Sequence, residues 1–405
     1  MSTRQYHTPL QAAEWDLLLR CARTTVDSGV VQEIHTCVSA GLDWNYLIET
    51  AHHHRVLPLL YRNLVHIDRA AVPAFAMQRL QAAFESNVRR NLFLTRELVR
   101  LLDVFAVNEI PVIPYKGPIL ASQLHGDPGL RQFSDLDILV PVNDVARTRA
   151  LLMSQGYRPD IEMTEQQLRA FVRREKDMTL LREDLGIDLE VHWRITAEHD
   201  AVRIPPDVLW RQVCPYTFAG RSLQTLTLES LLLVLCVHGA RHVWEKLGWV
   251  CDIAAITRRP LNWDRVIDEA ISLDCERILA LGLSLARDLL GAELPPRALA
   301  LIEADPELPS LALEVRQHLF SNSTLAPHTG EPARFFLRLR TRRRDRFRIA
   351  VSHMRRYAVP TARDEDTLPL PPSLRWVLYL IRPLRLAREY GLAPVRRLWK
   401  DLFQL

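Results

Sequence analysis

At residue 109 the hydrophobic pattern of this chain changes period, and that change limits what it can fold into. Residues 9–106 carry apolar side chains at helical spacing, around 10–21, 44–64 and 77–105, with few strand-like alternations. Beyond 109, short apolar runs alternate with helical stretches, the texture of an α/β unit. Residues 110–115 read as a strand, and Gly117-Pro118 opens a short helix to about His125, with proline in its first turn. The turn-rich Gly126-Asp127-Pro128-Gly129 then leads to a strand over 134–140. Asn143 or Asp144 caps a helix that Gly156 ends, followed by a strand near 157–161 and a helix over 164–174. Strands over 178–182 and 187–194 are joined by Glu183-Asp184-Leu185-Gly186 as a hairpin. After Pro205-Pro206 helical periods resume, over 228–249, 252–257, 263–272 and 277–290. The expected order is a helical region 1–106, an α+β core 107–205, a helical domain 206–320, and a linker with a basic helical tail 321–405.

The 405 residues are 48% hydrophobic and 25% charged, enough apolar material for a sizeable core. The longest strongly apolar run, 231–237, has seven residues before His238 and Arg241, far short of the roughly 20 a membrane helix needs. The first residues, with Arg4, His7, Glu14 and Asp16, lack the layout of a secretory signal, so a cytoplasmic protein is expected. Six cysteines without a C-x-x-C pair exclude a zinc ribbon or disulfide framework and read as buried thiols. Three adjacent histidines, His52, His53 and His54, point in three directions on a helix and do not converge on a metal.

Charge is segregated. Residues 334–405 hold 18 basic and 6 acidic residues, a net of +12, whereas the 34 basic and 42 acidic residues before them net −8. The stretch 334–356, with ten arginines and one acid, suits an anionic partner or the acidic body of the chain itself. Only four of the 52 basic residues are lysine: Lys116, Lys176, Lys246 and Lys400. A lysine in so arginine-rich a chain marks a place where a compact point charge is wanted.

Ser134-Asp135-Leu136-Asp137-Ile138-Leu139-Val140 carries the chemistry. Side chains two apart on a strand share a face, so Asp135 and Asp137 project one way while Leu136, Ile138 and Val140 fill the other. Such a carboxylate pair can clamp divalent cations, and hard ions such as Mg²⁺ prefer these oxygens. Lys116-Gly117-Pro118 lies at a strand-to-helix junction, where backbone N–H groups and the positive helix end attract phosphate. Arg131 stands four residues before Asp135, in a loop that could close over phosphate oxygens, or simply on the surface. Asp188, Glu190 and His192 share one face of the hairpin's second strand. Either acid could complete a metal site and take a proton from an attacking hydroxyl, with Glu190 favoured over Asp188. Lys176-Asp177 just before the hairpin reads as solvated.

These motifs together resemble a family. Tyr115-Lys116-Gly117, then Leu130-Arg131-x-x-Ser134-Asp135-x-Asp137-Ile138-Leu139-Val140, then Leu189-Glu190-Val191-His192-Trp193 are similar to bacterial uncharacterised nucleotidyltransferases of the DNA polymerase β-like superfamily. His238-Gly239-Ala240-Arg241-His242-Val243-Trp244, Leu247, Asp252-Ile253, Leu368-Pro369-Leu370-Pro371 and Arg382-Pro383-Leu384-Arg385 extend the likeness across most of 45–390. One departure is Gly117-Pro118 where many relatives have Gly-Ser or Gly-Gly, which removes an N–H donor. The resemblance implies an α+β fold, a small mixed sheet with helices, flanked by helical regions. It implies transfer of a nucleoside monophosphate from a nucleoside triphosphate, ATP included, with pyrophosphate released and Mg²⁺ or Mn²⁺ as cofactor. Asp135, Asp137 and Glu190 would hold the metal, and Lys116, Gly117, Arg131 and Ser134 the triphosphate. His238, His242 and Lys246, four apart, would line one helix face and add positive charge there, or pack as partly buried rings against Trp244 and Trp249.

The expected acceptor is a hydroxyl of a small molecule or an RNA end, the latter gaining from the basic tail. The other class of reading is a non-catalytic nucleotide-binding or protein-interaction module, antitoxin-like or regulatory. Three clustered carboxylates argue against it, because like charges without a metal are costly.

Overall fold

A computed structural model describes residues 9–196, 202, 204–321, 331–341 and 372–390. The described residues fall into two compact units: one runs to residue 321, and the other contains residues 202, 331–341 and 372–390. In the second unit a helix α16 (Glu331–Arg338) and, after a 3-10 turn Pro372–Val377, a helix α17 (Leu378–Tyr390) are described. The arginines of 342–356, the motif 368–371 and Lys400 lie outside the described residues.

The first unit opens with α1 (Pro9–Cys21), α2 (Ser28–Val38), α3 (Trp44–His53), α4 (Leu57–Ile67) and α5 (Ala74–Val107). The apolar stretch expected over 44–64 is two helices, because Arg55 between them adopts a left-handed backbone with φ of 60°. Helix α5 spans 34 residues. Its apolar side chains Leu94, Leu98, Leu101 and Phe105 recur three and four apart and are fully buried against the sheet.

That sheet contains β1 (Ile113–Pro114), β2 (Asp135–Leu139), β3 (Arg158–Pro159), β4 (Asp177–Arg182) and β5 (Ile187–His192), in the order β1-β2-β5-β4-β3. Only β2 and β5 are parallel, so the sheet is mixed and the chain has the expected α+β class. Helices α6 (Gly117–His125), α7 (Val145–Ser154) and α8 (Glu165–Arg174) connect the strands. Leu136 and Ile138 of β2, with Leu189 and Val191 of β5, join the α5 side chains in one core. Each such side chain contributes about 1.5–3 kcal/mol by leaving water. Strand alternation then turns Asp135, Asp137, Asp188, Glu190 and His192 to the opposite face.

Beyond residue 205 the expectation of helix alone needs correction. After α9 (Pro206–Arg211), β6 (Val213–Phe218) and β7 (Arg221–Leu226) pair as a hairpin, whose mixed polar and apolar residues carry no clear period in the sequence. The remaining elements are α10 (Leu228–Arg241), α11 (Leu247–Ile256), α12 (Trp263–Ser272), α13 (Glu276–Leu290), α14 (Pro296–Glu303) and α15 (Leu308–Ser321). The continuous helix expected over 228–249 is broken at Arg241. Val243 and Trp244 take φ of 50° and 53°, and the Trp244 ring folds back onto Gly239, where a Cβ would lie 2.5 Å away. Among the described residues no helix is long and apolar enough to cross a membrane. All six cysteines are free, and Cys21, Cys236, Cys251 and Cys275 are buried.

Candidate active site

The site forms where β1 delivers the turn 115–117 beside β2. Ile113 and Pro114 pair with Leu139 and Ile138, which places Lys116 next to Asp137, its Nζ 2.9 Å from Oδ1. Gly117 is required at this turn: its φ is +53°, and a Cβ would sit 3.2 Å from the carbonyl oxygen of Asp135. Pro118 then starts α6, whose N-cap Lys116 makes no side-chain capping bond and turns to the carboxylate instead.

The parallel register of β2 and β5 decides which acids meet. Asp137 lies opposite Glu190, and Asp135 opposite Asp188. Asp188 is exposed and does not line the cleft. His192, two residues further along β5, donates from Nε2 to Asp137 at 3.1 Å and stands 3.2 Å from Glu190. Its Nδ1 faces Asp177 of β4 at 3.5 Å. Ligand atoms of Asp137, Glu190 and His192 all lie within 4.8 Å of one another.

Electrostatics separate the two aspartates. Burial opposes ionisation of Asp137, but Lys116 and His192 overcome it and hold the carboxyl well below the usual range. Asp135 is pushed up, first by burial and then by the charge of Asp137, although Lys116 pulls the other way. Burial also opposes the charge on His192, yet its hydrogen bonds to Asp137 and Glu190 raise its pKa. Carboxylates therefore repel one another on this face, as the strain on Asp135 shows, and a divalent ion would relieve that. The donors that converge are Asp137, Glu190 and His192, a set compatible with Mn²⁺ and, through its two carboxylates, with Mg²⁺, while Asp135 lies on the same face outside that group. The residues present fit the metal that the sequence implies.

A cleft of about 380 Å³ opens over this face, and its far wall comes from the helices. His238 near the end of α10 and His242 just past it stack at 4.9 Å, and both pack on Trp249, at 5.0 and 5.2 Å. Burial first, then Lys116, drives the pKa of His238 far down, so its ring is neutral. His242 keeps one side open to solvent, yet the surrounding protein, followed by Arg241 and Lys116, lowers it to about 4. Lys246 does not share this face, because the helix has ended. It caps α11 and points at His53, 3.1 Å from Nε2. The three adjacent histidines diverge as expected: His52 is exposed, His53 meets Lys246, and His54 is buried edge-on against Trp15.

Arg131 reaches the cleft, but Asp252 of α11 already binds it. Nε lies 3.0 Å from Oδ1 and Nη2 3.0 Å from Oδ2, with His125 3.6 Å behind. Burial opposes the guanidinium charge, and Asp252 outweighs it and raises the pKa; Asp252 in turn is lowered, burial again being overcome by Arg131. Asn87 and Asn91 of α5 staple the loop before it, donating to the carbonyls of Gly129 at 2.8 Å and Pro128 at 2.6 Å. Ser134 is exposed, and its carbonyl accepts from Arg90 at 3.4 Å.

Sequence reasoning passed over several cleft residues. Lys176, read as solvated, is buried and hydrogen-bonded to Asp177 beside His192. Its scarcity as a lysine was the available signal. His192 was visible from its alternation with Glu190. Arg55 also lines the cleft, from the turn between α3 and α4, where no local pattern marks it; Arg241 and Trp249 line it too, the latter as the packing partner of the two histidines.

Comparison with curated proteins and with solved structures gives no match. A family model described as "Uncharacterised nucleotidyltransferase" does match, over residues 40–291. That span takes in α4, α5, the whole five-stranded sheet, the carboxylate face and the helical wall of the cleft. The chain thus belongs to the uncharacterised nucleotidyltransferase family and is a transferase by kind.

Proposed function

We propose that this protein transfers a nucleoside monophosphate from a nucleoside triphosphate to an acceptor hydroxyl, with Mg²⁺ or Mn²⁺ held by Asp135, Asp137 and Glu190. The observation that carries the reading is the carboxylate face itself, set by the register of Asp137 against Glu190, with Lys116 at the turn beside it. The bound ion would neutralise triphosphate oxygens and polarise the α-phosphorus.

The chain's own groups supply the rest. Lys116 and the backbone at Gly117 hold phosphate oxygens, with Pro118 leaving the lysine to supply what an extra N–H would. The Lys116 ammonium gives one donor to Asp137, at 2.9 Å, and keeps two for phosphate oxygens. The acceptor oxygen bonds to the α-phosphorus, the bond from that phosphorus to the bridging oxygen breaks, and pyrophosphate leaves with the electron pair. The acceptor's proton passes to a carboxylate at the open end of the cluster. Glu190 is placed for this, its side chain 34% exposed against 3% for Asp137. His238, neutral and packed on Trp249, offers an uncharged wall to the bound ligand.

A cleft of about 380 Å³ has the size of a small-ligand pocket. That favours a small-molecule acceptor, or a single terminal nucleotide of an RNA reaching in. The test is incubation of the protein with Mg²⁺, a cell extract and triphosphates labelled at the α- or the γ-phosphate. The reading expects α-label alone to enter product, in low-mass compounds for a small acceptor or in RNA for an end. Transfer of γ-label, or of neither, defeats it.

A further inference from the structure

We propose that Arg55, delivered by the N-terminal helices rather than by the catalytic core, is a phosphate-binding residue of the cleft. The proposal rests on the nucleotidyltransferase reading above and extends the site to a region outside its sheet. Three of the cleft's cations are occupied: Lys116 by Asp137, Arg131 by Asp252 and Lys176 by Asp177. Arg55 lines the same cleft and, among the described residues, its guanidinium makes no ion pair and no hydrogen bond. It shares the cleft's lining with Asp135 and with His242, and its charge is felt at both.

The backbone shows that the position is built. Arg55 holds a left-handed conformation, φ 60°, that a residue with a Cβ adopts at a cost. The turn is pinned on both sides. Arg55 N–H donates to the carbonyl of His52 at 3.1 Å, Val56 N–H to that of Ala51 at 2.9 Å, and Gly248 N–H to that of His54 at 2.9 Å. Gly248 permits the contact, since a Cβ there would lie 3.2 Å from Arg55 Cβ. Glycine or asparagine would satisfy such a turn with less strain. An arginine held there with no protein partner, facing a cleft for a polyanion, has a planar fork available for phosphate oxygens.

The phosphate is either part of the triphosphate or a group on the acceptor, and two titrations separate these. Binding of the Mg²⁺ complex of α,β-methylene ATP is measured by calorimetry for the wild type, Arg55→Ala, Arg55→Lys and Arg55→Gly. Binding of inorganic phosphate is then measured with that analogue saturating. A triphosphate contact predicts about 10-fold or greater weakening of the analogue by Arg55→Ala, with Arg55→Lys in between. An acceptor contact predicts the analogue unchanged and phosphate weakened by a similar factor. In both cases Arg55→Gly matches Arg55→Ala in binding but keeps the wild-type Tm or exceeds it by a degree or two, which a residue placed only for folding would not do. If all three variants bind analogue and phosphate as the wild type does, Arg55 is not a phosphate ligand, although the nucleotidyltransferase reading stands. If the wild type binds phosphate through Arg55 but no nucleotide analogue, that reading fails and the Arg55 site survives.

Discussion

Two buried acids of this unit, Asp137 and Asp252, each face a cation and a histidine, yet they are built to opposite ends. Asp252 takes both its oxygens to Arg131 in a fork, with His125 behind, and all three side chains are nearly closed to solvent. Its charge is matched by Arg131. Asp137 meets Lys116 and His192 through one oxygen, with Asp135, Glu190 and Asp177 close by and a cleft above. There three carboxylates, Asp135, Asp137 and Glu190, crowd one lysine and one imidazole. Both line the cleft, but a pair whose two members satisfy each other through both oxygens holds a fold together, whereas a crowd of carboxylates around one lysine and one imidazole suits an ion.

The sharpest way to break this comparison is to remove charge from each site in turn. Asp135→Asn deletes a carboxylate that burial and Asp137 already strain, so urea unfolding should show stability unchanged or raised, while α-label transfer falls by about 10³-fold or more. Asp252→Asn should do the reverse in kind. Arg131 is left buried and unmatched, at a cost of about 3–5 kcal/mol in the same unfolding assay. Pairing Arg131→Met with Asp252→Leu should recover much of that loss, which a phosphate ligand could not do for activity.

Next in size is the fold-back behind the aromatic wall. Gly239→Ala drives a Cβ into the Trp244 ring and should cost about 1–3 kcal/mol by chemical denaturation. The smallest effect is in pH. His242, lowered to about 4, is neutral in the folded protein and charged below about 6.5 when unfolded. Its contribution is therefore complete above pH 6.5 and is lost as pH falls toward 4. Asp137 and Asp252, held below the ordinary carboxylate value, lose theirs only below about 3.8. His242→Gln should lessen the slope of the stability profile between pH 6.5 and 4, leaving the part that His238 contributes, and leave the acid limb below it intact.

The carboxylate face was legible because strand geometry acts over two residues: Asp135-x-Asp137 and Glu190-x-His192 declare their shared side without tertiary information. The β2–β5 register, which seats Glu190 rather than Asp188 opposite Asp137, depends on a pairing across 50 residues of chain and was open in the sequence. The helical wall was misjudged for a similar reason. A four-residue spacing of His238, His242 and Lys246 is good helix grammar, but the Trp244 ring packs over Gly239 and Gly282, and the helix ends before Lys246 can join. Arg131 and Asp252 are 121 residues apart, and no local pattern announces their pairing.

The central claim is that the carboxylate face takes up a divalent cation together with a nucleotide. Electron paramagnetic resonance of Mn²⁺ reads this directly. With α,β-methylene ATP present, the wild type should immobilise Mn²⁺, and the Asp135→Asn, Asp137→Asn double variant should leave it free in solution. Equal uptake by both proteins, or none by the wild type, would contradict the account.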